Sequence, residues 1–213
     1  MRNKLFWFLA AVLVSSSANA DPYRYRAQPE RARAWVIDGN ELFLEEARKP
    51  RRAITLPGWQ WAGEPYACAP DIAIGPRGEA VVTSNVLPVL WKIDPESLAV
   101  TTHRVQLDAD ADKDVGFSAL VYSERHGAYL GVSELTGTLW RIDPLLRRAQ
   151  KVALSERVFG GCAVSQDRSS RATRLCVAGP DGAWLVSFAP DQRSAHVQPG
   201  SCPDAFALRG GAR

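Results

Sequence analysis

Apolar and polar residues alternate along most of this chain in short runs, each stopped by Gly, Pro, Asn or Asp. Alternation of period two bounded by such residues predicts β-strands joined by tight turns, and no helical periodicity stands out beyond the first twenty residues. One hexapeptide recurs: "LWKIDP" at 90–95, "LWRIDP" at 139–144 and, more loosely, "AWVIDG" at 34–39. Trp35, Trp91, Trp140 and Trp184 mark the same place in a larger unit of roughly 45–55 residues, close to the length of a propeller blade of four antiparallel strands.

Three blades are legible strand by strand. From residue 70 the runs "PDIAIG", "EAVVTSN", "VLWKID" and "LAVTTHRVQ" follow one another. From 117 come "FSALVYS", "AYLGVSE", "TLWRID" and "AQKVAL", and from 162 "CAVSQD", "RLCVAG", "AWLVSF" and "SAHVQP". The hexapeptide is then the third strand and its exit turn, with Trp and Ile on one face of the pleat and Pro ending the pairing. At the N-terminus "YRYRAQ", "RAWVID" and "RAITLP" read as second, third and fourth strands, and "PDAFAL" at 203–208 reads as a lone first strand. The expected fold is all-β: a small β-propeller of about four four-stranded antiparallel blades, residues 21–213, closed by pairing the C-terminal strand with the N-terminal ones. A ring shared by two chains is the alternative, so monomer and dimer both stay open.

The stretch "PDIAIGPRGEAVVTSN…LWKIDPESLAV" resembles a repeat of the NHL and SMP-30 (gluconolactonase-like) propellers. These begin with Pro-x-Gly-Ile-Ala-Val and place an apolar-Ile-Asp third strand. The match is good over 70–101 and fair over 117–152. The family usually closes with six blades, where this chain has about four.

Composition adjusts the picture at the N-terminus. "MRNKLFWFLAAVLVSSSANA" has Arg2 and Lys4, a short apolar run and a terminal Ala-Asn-Ala, the layout of a secretory signal peptide over residues 1–20. The run is shorter than a membrane span requires, so no span is expected after cleavage and the destination is periplasmic or secreted. Without Arg2 and Lys4 the formal charge of +3 drops to roughly +1, which removes the basic footprint of a nucleic-acid binder. Cys68, Cys162, Cys176 and Cys202 suggest disulfides in an exported protein. Four cysteines allow three pairings. The strand reading makes Cys162 and Cys176 neighbours in one blade and sets Cys68 beside Cys202 at the closure.

First-strand starts, second-strand ends and the connections between blades share one face of a propeller. That face collects Asp71, Ser118, Cys162 and Asp204, then Asn85 and Glu134, and the loops "GWQWAGEPYACAP" and "DADADKDVG". Carboxylates, an amide and the rings of Trp59, Trp61 and Tyr66 around a channel mouth make a candidate ligand site for a protein partner or a small polar molecule. SMP-30-like enzymes hold a divalent cation with Glu, Asn and Asp at such a place. The resemblance therefore implies Asp71, Asn85, Glu134 and Asp204 as ligands for Ca²⁺ or Mg²⁺, serving a lactonase-like hydrolysis. "DADADKD" imitates a calcium loop but has Lys113 at its sixth and Ala119 at its twelfth position, so a solvated acidic connection is expected. His103 and His196 fall in outer strands and His126 in a turn, without nucleophile partners. The leading expectation is a non-enzymatic binding module, with the metal-dependent hydrolase as the alternative.

Overall fold

The computed structural model describes residues 23–108, 115–166 and 174–202. These form seventeen strands and one turn of 3₁₀-helix, Pro29–Arg31. The first blade is β1 (Tyr23–Gln28), β2 (Arg33–Asp38), β3 (Glu41–Glu46) and β4 (Arg52–Ile54), paired in that order. The second is β5 (Ile72–Ile74), β6 (Ala80–Val82), β7 (Val89–Ile93) and β8 (Val100–Arg104). After the short β9 (Gln106–Leu107) come β10 (Ala119–Ser123), β11 (Ala128–Ser133), β12 (Thr138–Ile142) and β13 (Arg148–Leu154), the third blade. The fourth is β14 (Ala163–Gln166), β15 (Arg174–Gly179), β16 (Gly182–Phe188) and β17 (Ser194–Pro199). The four-bladed, antiparallel, all-β architecture is the expected one.

The recurring hexapeptide is explained by packing on both faces of a blade. Trp91 and Ile93 on β7 lie in one apolar cluster with Trp35, Ile37, Leu42 and Leu44 of the first blade. Leu90, the residue before Trp91, lies in the next cluster with Phe117, Tyr129, Trp140 and Ile142 of the third blade. Leu139 in turn packs with Val164, Leu175, Val177 and Val186 of the fourth. In β7 and β12, Trp and Ile face the preceding blade while Leu faces the following one. Each such side chain, fully buried, contributes on the order of 2 kcal/mol. The Asp of the motif directs the exit turn: Asp94 Oδ1 accepts from the N–H groups of Glu96 (3.0 Å) and Ser97 (2.8 Å), and Asp143 Oδ1 from that of Leu145 (2.9 Å). Leu98 and Leu146 close these turns with positive φ, 59° in both cases.

The first blade corrects the strand assignment. Glu41–Glu46 is its third strand, so "YRYRAQ" is the first strand rather than the second, and Trp35 stands on the second rather than the third. Charged residues at 45–52 masked this strand; its apolar members Leu42 and Leu44 are buried all the same. The blade is complete with its own four strands and needs no C-terminal one. The expected pairing of 203–208 lies outside the described residues, as does the signal segment.

Polar side chains join the inner strands at the hub. Arg26 of β1 donates to Ile72 O (2.8 Å) and to Asp71 Oδ1 (3.2 Å). Asp71 Oδ2 accepts from Leu120 N–H of β10 (2.9 Å), and Ser118 Oγ donates to Gly161 O ahead of β14 (2.7 Å). At the rim, β13 runs parallel to β17 through Ala153↔Ser194 and Leu154↔Ala195, which fuses the last two blades into one sheet.

The disulfides differ from the expected pairs: Cys68 bonds Cys162, and Cys176 bonds Cys202. The register shows why. Cys176 lies opposite Ser165, three residues along β14 from Cys162. At about 3.3 Å per residue the two cysteines are near 10 Å apart along the sheet, beyond the roughly 4.4–6.8 Å that a disulfide spans. Two disulfides fit an oxidising compartment. Among the described residues no helix is long and apolar enough to cross a membrane.

Candidate functional site

The long connection 57–70 is folded down onto the end of β6 rather than held open. Trp59 Nε1 donates to Thr83 O (2.8 Å), Ser84 Oγ to Gln60 O (2.7 Å), and Trp61 Nε1 to Asn40 Oδ1 (2.6 Å). Asn85 completes the clasp: its Nδ2 donates to Ala62 O (2.7 Å) and Cys68 O (3.1 Å), and its Oδ1 accepts from Ala62 N–H (3.0 Å). The backbone after the clasp is crowded enough that a Cβ at Gly116 would stand 2.0 Å from the Asn85 carbonyl carbon. Trp59, Trp61 and Tyr66 are half-buried against this frame.

Asp71, Asn85 and Glu134, all buried, are gathered around the stretch from Ala67 to Ile72. They do not form one cation cage. Asp71 gives Oδ1 to Ile72 N–H (2.8 Å) and Arg26, and Oδ2 to Leu120 N–H. Asn85 gives its oxygen to the clasp. A hard cation needs several free oxygens, and two of the three described candidates already use theirs within the fold. Asp204 lies outside the described residues, as do 109–114 of the acidic loop. As placed, these residues do not fit a Ca²⁺ or Mg²⁺ centre.

Glu134 is different. It is 5% exposed, and both carboxylate oxygens are buried without a close hydrogen bond, the backbone N–H groups of Cys68 and Ala67 lying beside them. Burial pushes its carboxyl up to about 7, and the N–H groups of Cys68 and Ala67 with the Arg24 guanidinium offset only part of this. Its neighbours are the sulfurs of the Cys68–Cys162 disulfide: one carboxylate oxygen and the two Sγ atoms all lie within 4.8 Å of one another. Arg24 clamps the same spot, donating to Pro70 O (3.2 Å), Ala69 O (3.3 Å) and Cys162 O (2.7 Å). Disulfide and guanidinium together draw the starts of the second and fourth blades against the first.

Around this hub the face presents a feature that the strand pattern did not flag. The 134–137 hairpin and the 155–162 connection are zipped together by Val158 N–H to Gly137 O (2.9 Å), Gly160 N–H to Glu134 O (3.0 Å) and Arg157 Nη1 to Thr136 O (3.0 Å). Leu135 and Phe159, one from each loop, are 47% and 52% exposed. Arg157 lies 6.0 Å from the Phe159 ring centroid. The available signal was an apolar residue at each loop position where turn chemistry asks for a polar one, in "SELTG" and "RVFGG". Two surface depressions, of about 400 and 470 Å³, lie elsewhere: between Arg33, Arg52 and Glu96, and between β13 and β17.

No protein-family model matches the sequence, and no curated protein matches it. Solved structures do match in fold. Virginiamycin B lyase from Staphylococcus aureus is 14% identical with a TM-score of 0.62, covering 88% of this chain and 58% of the other. An auxiliary nutrient binding protein from Bacteroides thetaiotaomicron is 10% identical with a TM-score of 0.58, over 86% and 44%. YCF48 bound to a D1 peptide is 16% identical with a TM-score of 0.51, over 81% and 52%. The chain thus spans between 44% and 58% of the length of these relatives. The structural likeness establishes the β-propeller fold, and membership of the NHL or SMP-30 family is not shown by it.

Proposed function

We propose that this protein is an exported binding module that holds a segment of a protein partner on the channel-mouth face. The observation that carries the reading is the exposed pair Leu135 and Phe159, set in two mutually hydrogen-bonded loops with Arg157 beside them. Apolar anchors on a braced frame flanked by a guanidinium suit an apolar side chain and a nearby carboxylate of a partner. Trp61 and Tyr66 border the same face, and the buried Asp71 and Asn85 serve it by holding its loops. The propeller neighbours include a peptide-bound protein and a nutrient-binding one, which supports a binding role.

Selection of a displayed peptide library on the oxidised protein tests this. Selected peptides should carry an apolar residue near an acidic one. Leu135→Ala and Phe159→Ala should each weaken them about tenfold or more. Peptides that bind both variants as tightly as the parent, or no selection above background, refute the reading.

A further inference from the structure

We propose that the face opposite the channel mouth docks on an anionic bilayer surface, through guanidinium groups from three blades and one apolar wedge. The proposal is independent of the partner site. In each antiparallel blade the turn between third and fourth strands lies at the end away from the mouth. Arg48, Arg147, Arg148 and Arg193 stand in these turns or at their ends, in the first, third and fourth blades, and all are exposed. Among the described residues none of the four makes an ion pair. The carboxylates in the same turns are engaged by backbone. Asp143 Oδ2 accepts from the N–H groups of Arg147 (2.9 Å) and Arg148, and Asp191 Oδ1 from that of Arg193 (3.0 Å). The acids cap their own turns, and the guanidinium groups face solvent.

The mouth end has the opposite sign. Asp38, Glu41 and Asp181 are exposed in turns between second and third strands, and Glu156 in the connection to the fourth blade. A chain whose formal charge is only +3 is thus polarised between its two faces, which orients it in the field of an anionic surface. Leu145 selects a bilayer over a soluble polyanion. It is 54% exposed in the β12–β13 turn, two residues before Arg147. At the boundary of headgroups and acyl chains this side chain leaves water while the neighbouring charges meet lipid phosphates. Each arginine near such a surface is worth about fivefold in partition. Docked this way, Leu135 and Phe159 at the mouth face away from the lipid.

The test uses the chain from Asp21 on, which contains every described strand. It is mixed with phosphatidylcholine vesicles holding about 30% phosphatidylglycerol, and with vesicles of phosphatidylcholine alone. Expected in sedimentation is binding to the first kind only, weakened by added salt. Arg147→Ser/Arg148→Ser should lower the partition coefficient about 20- to 30-fold, and Leu145→Ser about fivefold or more. These exposed substitutions should keep the parent's melting temperature. No sedimentation with either vesicle, equal sedimentation with both, a larger loss from Phe159→Ala than from Leu145→Ser, or retention on heparin without vesicle binding overturns the proposal.

Discussion

Removal of the Cys68–Cys162 disulfide offers the sharpest check on how this molecule is held together. The bond closes a separation of 94 residues, whereas Cys176–Cys202 closes 26. In the chain-entropy relation these loops are worth about 4.7 and about 3.5 kcal/mol at room temperature, a difference near 1 kcal/mol. The longer loop contains all of the second and third blades, so its loss frees the hub of three blades, while loss of the shorter one frees only the tail from β15. Urea unfolding of Cys68→Ala/Cys162→Ala, followed by tryptophan fluorescence without reductant, should show a loss of about 4–5 kcal/mol, and of Cys176→Ala/Cys202→Ala about 3–4. For a domain of this size the first loss lowers the melting temperature by about 10–20 °C. Alkylation of the single variant Cys68→Ala should label Cys162. Label found on Cys202 instead, or a larger loss from the shorter loop than from the longer, refutes the argument.

Asp71→Asn should cost about 2 kcal/mol or more by urea unfolding, because one amide oxygen replaces two carboxylate oxygens and its NH₂ is set against a buried N–H of Ile72 or Leu120; a loss below about 0.5 kcal/mol would show that the hub does not depend on this carboxylate. His126 lies buried in the β10–β11 turn, with Nδ1 2.7 Å from Ser123 Oγ and its ring 4.4 Å from that of Phe188. Burial first, then Arg141 and Arg125, hold its pKa below the ordinary value of 6.5. The unfolded chain therefore binds this proton more readily, and stability is lost as pH falls from about 6.5 toward the folded-state pKa. His126→Gln should flatten that part of the pH–stability curve; a slope equal to the parent's removes His126 as its cause.

Much of the fold is written locally. Alternation and turn residues specify strands, and the spacing of Trp91, Trp140 and Trp184 specifies the blade, because each blade must bury both faces and repeats the same solution. The first blade departs from the expected assignment by one strand because Glu41–Glu46 ends in charge and runs into "ARKPRR", which hides the period-two burial of Leu42 and Leu44. At the mouth, Asp71, Asn85 and Glu134 do gather around 67–72, but what each does there was not legible. Asn85 and Glu134 occupy equivalent positions before their tryptophans, yet one is fully bonded to a loop and the other is buried against a disulfide and the backbone of 67–68.

By itself, then, the amino-acid order determined the class of fold and the count of blades, since these follow from period-two burial and near-neighbour turns. Tertiary structure alone decided the cysteine pairing, the folding down of 57–70 and the burial of Glu134 against the Cys68–Cys162 disulfide. Each depends on distances between chain segments far apart in sequence, which periodicity does not encode: a three-residue offset along β14 separates Cys162 from Cys176 and leaves it to Cys68.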